Sequence, residues 1–181
     1  MRKIVVALTA LGMILSIFAV IGTADDAAHK YVGTSKCKTC HKSEAKGNQF
    51  GKWSESKHAK AYEALASEAA IAIGKEKGID NPQTSDQCLT CHVTGYSAAA
   101  ELKAESYDQT EGVGCEACHG AGADYKKMKV MKDQAAAIAA GLVIPTEETC
   151  KGCHNENSPT FKSFNFEEAS AVIAHPKPEK K

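Results

Sequence analysis

Gly112-Val113-Gly114-Cys115-Glu116-Ala117-Cys118-His119-Gly120 is the stretch on which the reading of this chain turns. Its two cysteines, three apart, lie on one turn of a helix, and a histidine follows at once. The same C-x-x-C-H spacing recurs at Cys37/Cys40/His41, Cys88/Cys91/His92 and Cys150/Cys153/His154, so the 8 cysteines are all used in pairs. Paired cysteines in an exported chain can form disulfides, and four C-x-x-C pairs can hold two zinc ions. The histidines decide between these. Four of the 7 stand directly after a pair, which chance would produce about twice in a million, and the pattern reads as covalent attachment of c-type haem. The cysteines reach the two vinyl groups of a porphyrin while the next histidine turns its imidazole onto the iron. Four covalent haem c groups are therefore expected, tethered at Cys37, Cys40, Cys88, Cys91, Cys115, Cys118, Cys150 and Cys153, with His41, His92, His119 and His154 as proximal iron ligands.

Working outward to the N-terminus, Met1-Arg2-Lys3 is a positive segment and Ile4 to Gly22 runs apolar. Gly22-Thr23-Ala24 then offers the small residues that a signal peptidase reads, so residues 1–24 are expected to be a cleaved export signal. The rival is an uncleaved anchor and membrane association through this segment, because the apolar run approaches the ~20 residues that span a bilayer. Haem attachment also occurs outside the cytoplasmic membrane in bacteria, so motif and signal both place the chain in the periplasm, with the cell surface or the extracellular space as extensions. Removal of Arg2 and Lys3 leaves 20 basic groups against 22 acidic ones, and Arg2 is the sole arginine. The near-neutral balance gives no electrostatic footprint for nucleic acid, which is excluded as a partner.

Three histidines remain for four sixth positions: His29, His58 and His175. At least one iron must stay open, or take Met128, Met131, a lysine, water or a neighbour's histidine. Within Trp53 to Leu65, helix formers dominate and His58, Tyr62 and Leu65 share a face, which predicts a helix presenting His58 as a distal ligand. His175 closes a second predicted helix, capped by Asn165, with Glu167 and Glu168 in its first turn and Pro176 stopping it. His29 precedes any clear element; it caps a haem of its own chain, caps one in a neighbour, or stands in solvent. The methionines, three apart, read as a packing stripe rather than as ligands.

Between these sites the chain reads as helix and loop. An alanine-rich helix ends at Gly74 and Gly78, Asn81-Pro82 marks a turn, and Asp133 to Ala140 is helical up to Gly141. The glycines flanking the third motif are expected to let the backbone approach the porphyrin. No stretch alternates as a strand would. Aromatic residues make up only 6% of the chain, thin for a core, so the expected fold is a mostly α shell with long loops and no substantial β-sheet. It forms a single domain over residues 25–181, wrapped around a haem stack.

Tyr31-Val32-Gly33 before Cys37, Trp53-x-x-Ser56-x-His58-Ala59, Cys88-Leu89-Thr90-Cys91-His92 with Thr94-Gly95, Gly112 to Gly120, and Cys150-x-x-Cys153-His154 with Ser158-Pro159 occur in this order. Together they resemble the tetrahaem cytochrome c-554 family across nearly all of the mature chain. The resemblance implies a compact, mostly helical periplasmic electron-transfer protein with closely packed, mostly bis-histidine haems and one five-coordinate iron. It places His58 on the family's W-x-x-S-x-H-A histidine and His175 on its C-terminal one. After Gly120 the family often reads Gly-Pro-Gly with a further histidine downstream, whereas this chain reads Ala121-Gly122-Ala123-Asp124-Tyr125. His29 or a neighbouring molecule's histidine is the candidate replacement.

The leading functional expectation is a carrier that passes single electrons between redox protein partners, since saturated bis-histidine irons cycle without binding substrate. One alternative is reduction of a nitrogen oxide or similar small molecule at an open haem, where lysines or Tyr125 would have to replace the missing arginine. Another is a homo-oligomer or filament in which His29 or His175 serves a neighbour.

Overall fold

The computed structural model describes residues 28–175; the expected signal segment and Pro176 lie outside them. Ten short α-helices follow one another among the described residues, joined by 3₁₀ turns, and the β-structure is one isolated parallel bridge between Tyr31 and Lys103. The helices are α1 (Ser35–His41), α2 (Gln49–Glu55), α3 (Ala61–Ala64), α4 (Glu68–Glu76), α5 (Asp86–His92), α6 (Cys115–His119), α7 (Met128–Met131), α8 (Gln134–Ala139), α9 (Glu147–Lys151) and α10 (Phe166–Ile173). None is long and apolar enough to cross a membrane. The expected mostly helical fold is what forms.

Each of the first three motifs lies on a helix that stops at or just after its histidine, namely α1, α5 and α6. In the fourth, α9 ends at Lys151, and the amides of Cys153 and His154 both return to the Cys150 carbonyl, at 3.1 and 2.9 Å. Asn165 caps α10 by accepting from the Glu168 amide at 3.2 Å. Asp133 does the same for α8 through Ala136, and Gly141 follows with φ +95°.

Three expectations need correction. Trp53 to Leu65 is not one helix: Ser56 is extended, and its hydroxyl bonds the Trp53 carbonyl at 2.7 Å, which breaks the run. His58 therefore opens a 3₁₀ turn, His58–Lys60. Serine offers the backbone such a local alternative to the helix. Gly74 does not end α4 but lies buried inside it, with the Ile79 carbonyl and Pro82 occupying the space that a side chain would need. His175 lies two residues beyond the end of α10 rather than closing it.

Protein atoms alone build little interior. Among the described residues the buried apolar ones are Val32, Leu65, Leu89, Val93, Tyr125 and Ala137, and no large side chain is fully buried. Leu65, Leu89 and Val93 form one cluster with Tyr62, Tyr96 and Tyr107 packed on it. At about 1.5–3 kcal/mol per buried aliphatic side chain, this is too small to hold a chain of this length. Polar clamps supply part of the difference. The buried Glu116 carboxylate accepts from the amides of Val32 (2.9 and 3.0 Å), Gly33 (2.8 Å) and Gly122 (2.6 Å). Glu111 accepts from Thr34 and Ser35 at 2.6 and 3.1 Å, which caps the otherwise uncapped start of α1. Both glutamates tie the approach to the first motif onto the third.

Candidate haem site

The four motifs are brought into contact in an order different from their order in the chain. Cys37 of the first motif lies beside Cys115 of the third, whose proximity together with burial pushes the Cys37 pKa up. Cys150 lies near enough to Cys118 to add to the upward effect of burial there. Cys153 of the fourth motif lies beside Cys91 of the second. The sequence of neighbours is thus first, third, fourth, second.

Two of the glycines around the third motif allow close backbone packing, and Gly114 lines the cleft described below. Gly112, at φ +72°, leaves room for the His58 and Ala59 carbonyls, and the next amide, Val113, bonds the His58 carbonyl at 3.0 Å. Gly120, at φ +77°, sits against the Gly141 carbonyl. Trp53 donates from Nε1 to the Val113 carbonyl at 2.8 Å and holds α2 to the same segment. Buried Tyr125 donates to the Gly120 carbonyl at 2.8 Å, a structural role for the residue considered above as a replacement for arginine.

Three of the motif imidazoles are oriented through Nδ1. His92 donates to the Ala61 carbonyl at 2.7 Å, His119 to the Val143 carbonyl at 3.2 Å, and His41 to the Gln49 side-chain oxygen at 3.2 Å. An Nδ1–H held in this way leaves Nε2 as the free lone pair, the arrangement typical of metal-binding histidines. His154 is held differently, by stacking on Phe164 with ring centres 5.0 Å apart. These supports were missed in the sequence; two of them are backbone carbonyls, which carry no residue signature.

Two of the spare histidines face motif histidines. His58 lies opposite His154, and His175 opposite His119, each with ring centres 6.0 Å apart. A metal–imidazole bond of about 2 Å, with the ring centre about 1.1 Å beyond the nitrogen, sets two axial imidazoles of one iron about 6.2 Å apart. The donor sets therefore fit one iron each. Burial lowers the pKa of both His58 and His119, keeping them neutral as an iron ligand must be.

His29 is placed elsewhere. Its Nδ1 bonds Asp124 at 2.9 Å and its ring lies over Gly141, and it makes no ring contact with a motif histidine among the described residues. His41 and His92 likewise face no second imidazole there. A cavity of about 330 Å³ opens between the first and third motifs. His41, His58, His119 and His175 line it together with Phe50, Trp53 and Leu142. Such a mostly apolar cleft with a few convergent nitrogens suits a flat, largely apolar cofactor.

Comparison with known proteins agrees with this geometry. Residues 36–120 match the family profile described as cytochrome c554 and c-prime. Cytochrome c-554 of Nitrosomonas europaea is 32% identical over 143 residues, which are 68% of this chain but 57% of that protein, so the match spans little more than half of the relative's length. The reduced-state structure of cytochrome c554 from the same organism superimposes with a TM-score of 0.54 at 25% identity, covering 81% of this chain and 79% of that one.

Proposed function

Because this chain belongs to the tetrahaem cytochrome c554 family, a family of c-type cytochromes, we propose that it is a periplasmic electron carrier with four haem c groups. The observation that carries the reading is the two pairs of facing imidazoles, His58 with His154 and His119 with His175, each 6.0 Å apart, close to the spacing of about 6.2 Å that one iron between them would set. Haem, once bound, supplies one-electron cycling at iron, and two imidazoles on one iron keep its potential low and its coordination closed.

The residues of the chain do the rest. The eight motif cysteines form the thioethers, and their proximity in the order first, third, fourth, second supports transfer of an electron along that series. Ala61, Val143 and Gln49 hold their histidines in one tautomer. Phe50, Trp53 and Leu142 keep the cleft apolar. Residues 1–24 serve as a cleaved export signal, leaving a single haem-bearing domain over 25–181, and the partners are redox proteins.

A second reading, reduction of a small molecule at an open iron, is favoured by His41 and His92, which face no second imidazole among the described residues. Electron paramagnetic resonance of the oxidised protein, with carbon monoxide binding to the reduced form, tests both. At least two low-spin ferric haems are expected. A uniformly high-spin spectrum overturns the paired-imidazole assignment, and a uniformly low-spin one that binds no carbon monoxide removes the reductase.

A further inference from the structure

The stretch Lys126-Lys127-Met128-Lys129-Val130-Met131-Lys132 contains no acidic residue, and its four lysines are exposed. Lys127 pairs with Asp124 at 3.5 Å, whereas Lys126, Lys129 and Lys132 have no ion pair among the described residues. The flanking acids are engaged elsewhere, Asp124 by His29 and Lys127, and Asp133 as the cap of α8. Met128 is 68% exposed, so it is not part of the packing stripe expected from its spacing. Met131 lines the cleft beside His41, His119 and His175. Ile144 and Val172 line the same cleft. No carboxylate lines the cleft among the described residues, and Lys52, which does, adds another cation.

A chain of formal net charge zero thus has, beside its histidine-lined cleft, a positive rim centred on the exposed Met128. An exposed methionine suits the core of a transient interface, and a run of unpaired cations steers a partner of opposite charge. We propose that this lysine–methionine rim is the docking face for an acidic redox protein. The inference rests on the electron-carrier reading. In the exchange, one electron leaves the partner's reduced centre, which is oxidised, and reduces one ferric haem to ferrous; no bond or proton moves.

The test is stopped-flow reduction of the oxidised holoprotein by an acidic plant-type [2Fe–2S] ferredoxin, whose potential near −400 mV makes the transfer downhill. Lys129→Glu/Lys132→Glu is compared with Lys75→Glu/Lys77→Glu, which makes the same charge change at α4. The rim variant should lose at least tenfold in second-order rate at low salt. The loss should vanish near 1 M salt, where the screening length is about 3 Å. The control variant should stay within twofold of wild type, and reduction by photoreduced lumiflavin, a small neutral donor, should not change. Equal losses in the two variants overturn the docking face. Altered lumiflavin rates or haem potentials in the rim variant also overturn it, by assigning these lysines to haem propionates. Salt-sensitive binding of the wild type to phosphatidylserine vesicles, with no salt-sensitive reduction by ferredoxin, overturns it in favour of a membrane. Wild type that accepts no electron even from lumiflavin defeats the carrier reading instead.

Discussion

Replacing Glu116 should cost more stability than any other single change outside the haem-binding motif residues themselves. Its carboxylate is 3% exposed and accepts from three buried backbone amides, those of Val32, Gly33 and Gly122. Glu116→Ala strands all three. Each buried amide left without an acceptor costs about 1–3 kcal/mol, and releasing a buried charge returns part of this, so the net loss is about 3–6 kcal/mol. A domain of this size shifts its midpoint by about 2–4 °C per kcal/mol, which gives a fall of roughly 6–24 °C. Thermal unfolding of the mature, haem-loaded protein, followed by far-ultraviolet circular dichroism, reads it directly. Glu116→Gln retains one oxygen but turns an NH₂ toward an amide donor, so it should fall between wild type and Glu116→Ala. If Glu116→Ala does not mature, the glutamine variant still decides. A loss below about 1 kcal/mol in whichever variant is measured would refute the argument that this carboxylate clamps the N-terminal segment to the third motif.

Glu111→Ala removes the cap that α1 receives from far along the chain, and urea unfolding should show a smaller loss of about 1 kcal/mol, in the range of helix caps. His58→Ala should convert one low-spin haem to high-spin in the resonance spectrum, while His29→Ala, whose imidazole bonds Asp124, should leave the low-spin count unchanged; a new high-spin signal in the latter would place His29 on an iron. Burial raises the Tyr107 pKa to about 12, and its hydroxyl donates to the Thr94 carbonyl at 2.7 Å. The neutral phenol is therefore favoured in the folded state, and its contribution is whole below pH 10 and lost as pH rises toward 12. After allowance for the ring's partial exposure it amounts to about 1 kcal/mol. Tyr107→Phe should flatten that part of the alkaline stability profile, and an unchanged profile would refute the assignment.

The attachment chemistry was legible because it resides in covalent spacing: four C-x-x-C-H runs need no tertiary context. Local capping was legible for the same reason, and Asn165 and Asp133 both cap the helices they precede. The break at Ser56 was not, since a serine hydroxyl competes with the helix only when the next turn is pulled elsewhere, here onto Val113. Glu116 and Glu111 gave no local signal, because their amide donors lie 84 and 77 positions away. The pairing of His58 with His154 rather than with another motif was likewise beyond reach, being a property of how the motifs pack. Sequence arithmetic predicts that histidines are too few for four irons; the structure sets His58 opposite His154 and His175 opposite His119.

The most direct test of the whole account is the intact mass of the exported, mature protein under denaturing conditions. The account requires the polypeptide that begins after Ala24 plus four covalently attached haem groups. A mature chain with fewer than four, or one whose haem comes away with acid and organic solvent, would contradict it.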